Sequence, residues 1–116
     1  MLRVRLRAEL PNNGGTSMSV IAVSRWQISR DEARRILRDS AAQIREAGGQ
    51  RIELARIATG PNVGQIIVAI HYENHEAVGR ATQALHNNQQ YQQRLTEATK
   101  AGQLLDRTFL EVEEIT

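Results

Sequence analysis

The spacing of apolar residues along this chain switches in turn between that of a strand and that of a helix. Residues 18–26 and 65–72 carry apolar side chains on both faces, and an amphipathic helical stretch and a further strand follow each of them. A strand that is apolar on both faces is covered on both faces. The chain therefore predicts an α+β domain with the order β-α-β-β-α-β.

Capping residues mark the predicted helices. Ser29 and Glu32 form a capping box at the start of the first helix, and Gly48 follows its last apolar position. Asn74 is the predicted cap of a second, Ala-rich helix, and a further helical segment ends at Gly102.

The remaining strands have weaker patterns. Residues 51–59 predict a strand whose alternation slips at residues 55–57, which we interpret as a bulge. A turn at residues 60–62 joins it to the next strand, and residues 108–115 predict the last strand. Two βαβ halves of this kind predict an antiparallel sheet in ferredoxin-like order, with the helices on one face.

The N-terminal segment is predicted to be a separate element. Residues 2–10 alternate strictly between apolar and polar side chains, and a Pro-Asn-Asn-Gly-Gly turn follows. We expect an extra edge strand, with an arm that pairs with a partner subunit or a nucleic-acid contact as the alternatives. Residues 1–15 are thus assigned to an N-terminal strand and turn, and residues 16–116 to a single ferredoxin-like domain.

Composition narrows the class of protein. The 116 residues are 41% hydrophobic and only 3% aromatic, so the core is expected to be aliphatic. The chain contains no cysteine, which excludes disulfides and thiolate chemistry. No apolar run has the roughly 20 residues that cross a bilayer, and the N-terminus lacks an apolar signal core. We expect a cytoplasmic protein that does not bind membranes.

One face of the predicted sheet lacks a cover. Ile21, Val23 and Ile67 point away from the helices, and an apolar surface of this kind marks an interface. A second copy of the same sheet would cover it by two-fold symmetry. We therefore expect a homodimer.

The chain resembles a known superfamily, the dimeric α+β barrel proteins, over about residues 16–116. Within it, the chain is similar to the NIPSNAP-like and antibiotic-biosynthesis-monooxygenase-like domains. The resemblance implies a dimeric barrel, and members include cofactor-independent oxygenases, haem-degrading enzymes and isomerases. The residues that carry it are Gly64-Gln65, Tyr72-Glu73-Asn74, Ala77, Leu85, Tyr91-Gln92, Leu95, Ala98, Gly102 and Asp106-Arg107-Thr108.

The concave sheet face is the predicted ligand site. The first and third strands are neighbours in the ferredoxin-like order, so Arg25 is expected to lie beside His71, with Glu111 or Glu113 near Arg25. His71 and Arg25 are the candidate catalytic residues, and His71 could act as an acid, a base or a hydrogen-bond partner. The predicted ligand-binding residues are Arg25, Trp26, Ile67, His71 and Glu111. The alternative is that His71 and Trp26 serve only in packing at strand ends.

Metal and nucleic-acid sites are not expected. His71 and His75 are four residues apart, but the helix starts between them, so the geometry of a helical metal pair is missing. An RNA-recognition module has the same strand order, yet its base-stacking positions hold Gln65, Ile67 and Ile70 here, which cannot stack.

Three functions remain open. The first is a homodimer that binds a small apolar or aromatic metabolite without a cofactor. The second is a small cofactor-independent monooxygenase or isomerase that acts on such a metabolite. The third is a purely structural or protein-interaction module, which would have no enclosed cavity.

Overall fold

A computed structural model describes residues 18–116 of the chain. The strand and turn predicted for residues 1–15 lie outside the described residues. The elements in chain order are β1 (Ser19–Gln27), α1 (Arg30–Ala47), β2 (Arg51–Arg56), β3 (Ile66–Tyr72), α2 (His75–His86), α3 (Gln89–Ala101) and β4 (Gln103–Val112).

The helix ends are where the capping residues predicted them. The Ser29 hydroxyl accepts a hydrogen bond from the backbone N–H of Glu32, and Asn74 accepts one from the backbone N–H of Ala77. Gly48 ends α1 at a φ of 122°, which favours glycine. Asn88 caps α3, so only two residues separate the end of α2 from the start of α3.

The four strands form one antiparallel sheet in the order β2-β3-β1-β4. This is the ferredoxin-like order, and the prediction is confirmed. Buried side chains of β1 and β3 pack with α1, α2 and α3 in two clusters. The first cluster contains Trp26, Ala33, Ile36, Ile66 and Ala98, and the second contains Tyr72, Ala77 and Ala81.

The helices lie over one face of the sheet, as the period-two register requires. In β1, the side chains of Val20 and Trp26 are buried against the helices, and the odd-numbered residues between them point to the opposite face. The small side chains of Ala77 and Ala81 bring α2 close to Tyr72. No helix within residues 18–116 combines the length and apolar character needed to cross a bilayer.

Two of the predicted strands have different bounds. β2 ends at Arg56, and its pairing with β3 is regular, so the bulge predicted at residues 55–57 is wrong. The irregularity lies instead between β1 and β4: Arg25 pairs with Asp106, whereas Trp26 pairs with Leu104. β4 begins at Gln103, five residues before the start predicted at residue 108.

Candidate functional site

The sheet has two faces with different side chains. We define the open face as the side away from the helices. Its central strands carry Ile21, Val23, Ile67 and Ala69, all half-buried. On the edge strand β4, Leu110 continues the apolar surface and is 45% exposed. The open face is thus apolar at its centre, as expected.

Charged groups on the open face pair with one another. Arg25 donates from Nε and Nη2 to Asp106 Oδ2, at 3.1 and 2.6 Å, and its Nη1 donates to the side chain of Gln65. At the other end of the same face, Nε2 of His71 lies 2.8 Å from Glu53 Oε1. Arg51 donates to the second oxygen of Glu53 at 3.1 Å.

These contacts change the acidity of Glu53. The hydrogen bond with His71 lowers the pKa of the Glu53 carboxyl below its ordinary value, with a further contribution from Arg51, and desolvation opposes them. The described charges of the open face therefore form two local networks, one at each end of the apolar centre.

The predicted site residues lie on two sides of the sheet. Arg25, Ile67 and His71 lie on the open face, but three rows of paired residues separate Arg25 from His71. Trp26 faces the helices and is only 8% exposed. Glu111 pairs with Val20 on that same side, and its Oε2 lies 2.7 Å from His75 Nε2. The expected contact of Arg25 with Glu111 or Glu113 is wrong: Arg25 pairs with Asp106, and Glu111 lies five rows further along β1 on the other side of the sheet.

A cavity of about 440 Å³ lies between the sheet and the helices. Its floor is the helix side of β1, β3 and β4, and its roof comes from all three helices. The sequence has one Trp, two Tyr and one Phe, and every one of them lines this cavity. These aromatic residues are Trp26, Tyr72, Tyr91 and Phe109.

The cavity wall is apolar near its edge as well as inside. Phe109 is 48% exposed, and Leu95 and Leu104 beside the cavity are also exposed. Deeper in, Trp26 donates from Nε1 to Ser24 Oγ at 2.8 Å, and Ser40 donates to the carbonyl of Ile36. Exposed apolar side chains at the edge give an apolar ligand a path into the cavity.

Three polar side chains face the same cavity from different elements. Tyr72 ends β3, Tyr91 lies in the first turn of α3, and Arg107 lies in β4. Burial raises the pKa of both phenols above the ordinary value for tyrosine, and the positive charge of Arg107 opposes this in each case. Both phenols are therefore protonated at neutral pH.

Arg94 and Arg107, two arginines of the cavity wall, differ in whether a carboxylate pairs with them. Arg94 donates to Glu97 Oε2 at 2.9 Å. Within residues 18–116, Arg107 has no carboxylate partner, and the phenol oxygens of Tyr72 and Tyr91 have no hydrogen-bond partner. The described residues also contain no group of three or more His, Cys, Asp or Glu placed to hold a metal ion.

Sequence reasoning placed the site on the open face and missed the cavity. Tyr72, Tyr91 and Arg107 were noted only as positions of resemblance, and Phe109 only as a residue of the last strand. A signal was available: with so few aromatic residues, their placement on the helix side of β1, β3 and β4 and on α3 is unusual for an aliphatic core.

Known structures share this fold at low sequence identity. SnoaB, a cofactor-independent oxygenase from Streptomyces nogalater, is 15% identical with a TM-score of 0.65, over 85% of this chain and 97% of that one. An uncharacterized NIPSNAP-like domain protein from Burkholderia xenovorans is 14% identical with a TM-score of 0.66, over 87% and 89%. A NIPSNAP family protein from Agrobacterium tumefaciens is 12% identical with a TM-score of 0.66, over 88% and 92%.

These similarities confirm the fold expected from the resemblance, that of NIPSNAP-like and antibiotic-biosynthesis-monooxygenase-like domains. A search of curated proteins gives no match. A family model described as a domain of unknown function, DUF6854, matches residues 18–103, most of the chain. The chain therefore belongs to the DUF6854 family.

Proposed function

We propose that this protein binds a small aromatic or apolar molecule in the cavity between its sheet and its helices. The observation that carries the proposal is the gathering of all four aromatic side chains around one cavity of about 440 Å³. Ligand pockets are typically roughly 300–1,000 Å³, mostly apolar, with a few convergent polar groups.

The open face has a different role in this proposal. Its apolar centre supports an interface with a second copy of the chain, since Ile21, Val23 and Ile67 gain from leaving water. The described charges of the face are already paired within the chain, so covering them leaves none of them buried without a partner. We therefore propose a homodimer formed by two open faces.

The roles predicted for Arg25, Ile67 and His71 in ligand binding or catalysis stay predictions. The cavity favours another position for the ligand, because these three side chains point to the opposite side of the sheet. Replacing His71 by Ala distinguishes the two sites. Unchanged affinity for a cavity probe supports the proposal, and a large loss of affinity returns the ligand to the open face.

Calorimetric titration with anthracene-2-carboxamide, a neutral three-ring probe, tests the proposal. We expect one probe per chain and a raised melting temperature, because the ligand binds only the folded state. Leu95→Trp, which adds bulk at the edge of the cavity, should weaken binding at least tenfold, and Leu104→Trp is a second variant of the same kind.

Val63→Trp is the matched control, since Val63 is exposed in the loop before β3 and does not line the cavity. The control should bind the probe like the natural protein. Absence of binding to the natural protein, or equal binding by Leu95→Trp and Leu104→Trp, would contradict the proposed cavity site.

A second candidate function is turnover of the bound molecule as a cofactor-independent oxygenase or an isomerase. The similarity of the fold to SnoaB favours it. Oxygen uptake measured with quinol-like aromatic compounds tests this candidate. Turnover in the cavity is supported if the natural protein takes up oxygen faster than the protein-free background and Leu95→Trp takes it up more slowly. If neither protein exceeds the background rate, binding remains the function.

A further inference from the structure

We propose that the ligand of the cavity is an aromatic carboxylate, whose carboxylate is held by Arg107 together with the hydroxyls of Tyr72 and Tyr91. The inference rests on the proposed function and adds the chemical class of the ligand. It assigns a charged subsite within a cavity whose other walls are mostly apolar.

Three separate elements bring these groups to one cavity. Arg107 lies opposite Ser24 of β1, on the helix side of β4. Tyr72 ends β3 on that same side, and Tyr91 approaches from α3 above the sheet. Tyr72 lies opposite Val20 and Arg107 opposite Ser24, so their backbones are four rows apart along β1, and it is their long side chains that line one cavity. The charge of Arg107 acts on both phenols.

The hydrogen-bonding capacity of these groups is unused within the described part of the chain. The neighbouring Arg94 is neutralised by Glu97, whereas no described carboxylate approaches Arg107. Within residues 18–116, Glu97 Oε1 is the only side-chain polar atom that is fully buried without a hydrogen-bond partner. The hydroxyl of Tyr72 also has no described partner and is therefore accessible from the cavity, although the residue as a whole is only 4% exposed.

The protonation states select the ligand. The guanidinium of Arg107 offers only donors, and burial keeps both phenols protonated at neutral pH. The three groups therefore all present donors. A carboxylate accepts several hydrogen bonds and donates none, and a guanidinium binds its two oxygens in a planar pair. A neutral amide would satisfy fewer of these donors.

Binding of anthracene-2-carboxylate, compared with the isosteric anthracene-2-carboxamide, tests the inference by calorimetry at pH 7. The natural protein should bind the carboxylate at least about tenfold more tightly, as expected for charge-assisted hydrogen bonds. Arg107→Gln should reduce this ratio to near one, chiefly by lowering the affinity for the carboxylate. Tyr72→Phe and Tyr91→Phe should each lower the ratio by a smaller factor.

Arg38→Gln is the matched control, because it removes the same charge from the exposed side of α1 and does not line the cavity. It should keep the natural ratio. Equal affinity of the natural protein for both probes, or a ratio unchanged by Arg107→Gln, would overturn the carboxylate subsite while leaving the proposed function in place. Failure of both probes to bind would overturn the two together.

Discussion

Arg25 and Asp106 face each other across β1 and β4, and the guanidinium Nη2 lies 2.6 Å from the carboxylate Oδ2. The pair lies at the point where the register of the two strands shifts, so it stands beside the bulge. Arg25 also donates to Gln65 of the segment before β3. One side chain thus ties together three neighbouring segments at one end of the open face.

We expect this pair to stabilise the fold more than an ordinary surface pair. Exposed ion pairs contribute about 0–1 kcal/mol, and we expect Arg25–Asp106 near the top of that range because Arg25 is held by several bonds. A double-mutant cycle with Arg25→Gln and Asp106→Asn, followed by chemical denaturation, measures the coupling. The Arg34–Asp31 pair of α1 is the control, and an equal coupling there would contradict this prediction.

Dimerisation through the open face predicts a melting temperature that rises with protein concentration. Ile67→Glu places a charge at the centre of that face, where an interface would bury it without a partner. We expect this variant to sediment as a monomer, with a melting temperature that does not depend on concentration. Ala42→Glu on the exposed side of α1 should sediment like the natural protein. A natural protein that sediments as a monomer at every concentration would contradict the interface.

We predict that the contribution of the Glu53 carboxylate to the stability of the fold is lost in acid. Its pKa in the folded protein is lower than in the unfolded chain, because His71 and Arg51 contact its charged form. Its contribution is therefore fully present above the unfolded pKa and is lost as the pH falls through the lower folded pKa. The stability difference between the natural protein and Glu53→Gln should shrink across that interval.

A carbon-detected NMR titration measures the Glu53 pKa directly. The value should lie below the ordinary 4.5 in the natural protein and rise in His71→Ala, since the side chain that makes the largest contribution to the shift is removed. A Glu53 pKa that is unchanged by His71→Ala would show that the contact with His71 does not cause the shift.

The surroundings of Gly102 and Gly79 predict opposite effects on stability when each is replaced by alanine. A Cβ at Gly102, between α3 and β4, would lie 2.6 Å from Ile28 Cβ and closer still to the carbonyl of Gln27. Gly102→Ala should therefore destabilise the fold by about 1–3 kcal/mol, the usual cost of forcing atoms into a packed site. Gly79 in α2 has open space around it. Gly79→Ala should stabilise the protein by about 1 kcal/mol, because alanine favours a helix.

Thermal and urea unfolding of the two variants measure these changes. The pair is its own control, since both substitutions add one methyl group. Equal effects on the free energy of unfolding would mean that the approach of β1 to Gly102 does not constrain the connection between α3 and β4.

The sheet order, the helix limits and the open face could be predicted from the sequence, because caps and periodicity are local signals. The start of β4 could not. A bulge interrupts the alternation at Leu105, so the first residues of β4 lose the period-two pattern by which a strand is recognised. The partner of Arg25 was wrong for the same reason, since it depends on the register of β4.

The cavity also could not be predicted from the periodicity of the sequence. Alternation tells which side of a strand Trp26 or Tyr72 faces, but not how far a helix stands from the sheet above it. That distance depends on the packing of all three helices together, including the position of Tyr91 on α3. Long-range packing of this kind has no local pattern in the chain.

The single Trp26, buried in the wall of the cavity, supplies an intrinsic optical reporter. Its indole emission arises from the space where we place the ligand, with no other tryptophan to dilute the signal. A molecule that enters the cavity should quench or shift that emission. Libraries of unlabelled metabolites can therefore be screened by fluorescence on the natural protein, without a dye or an engineered probe.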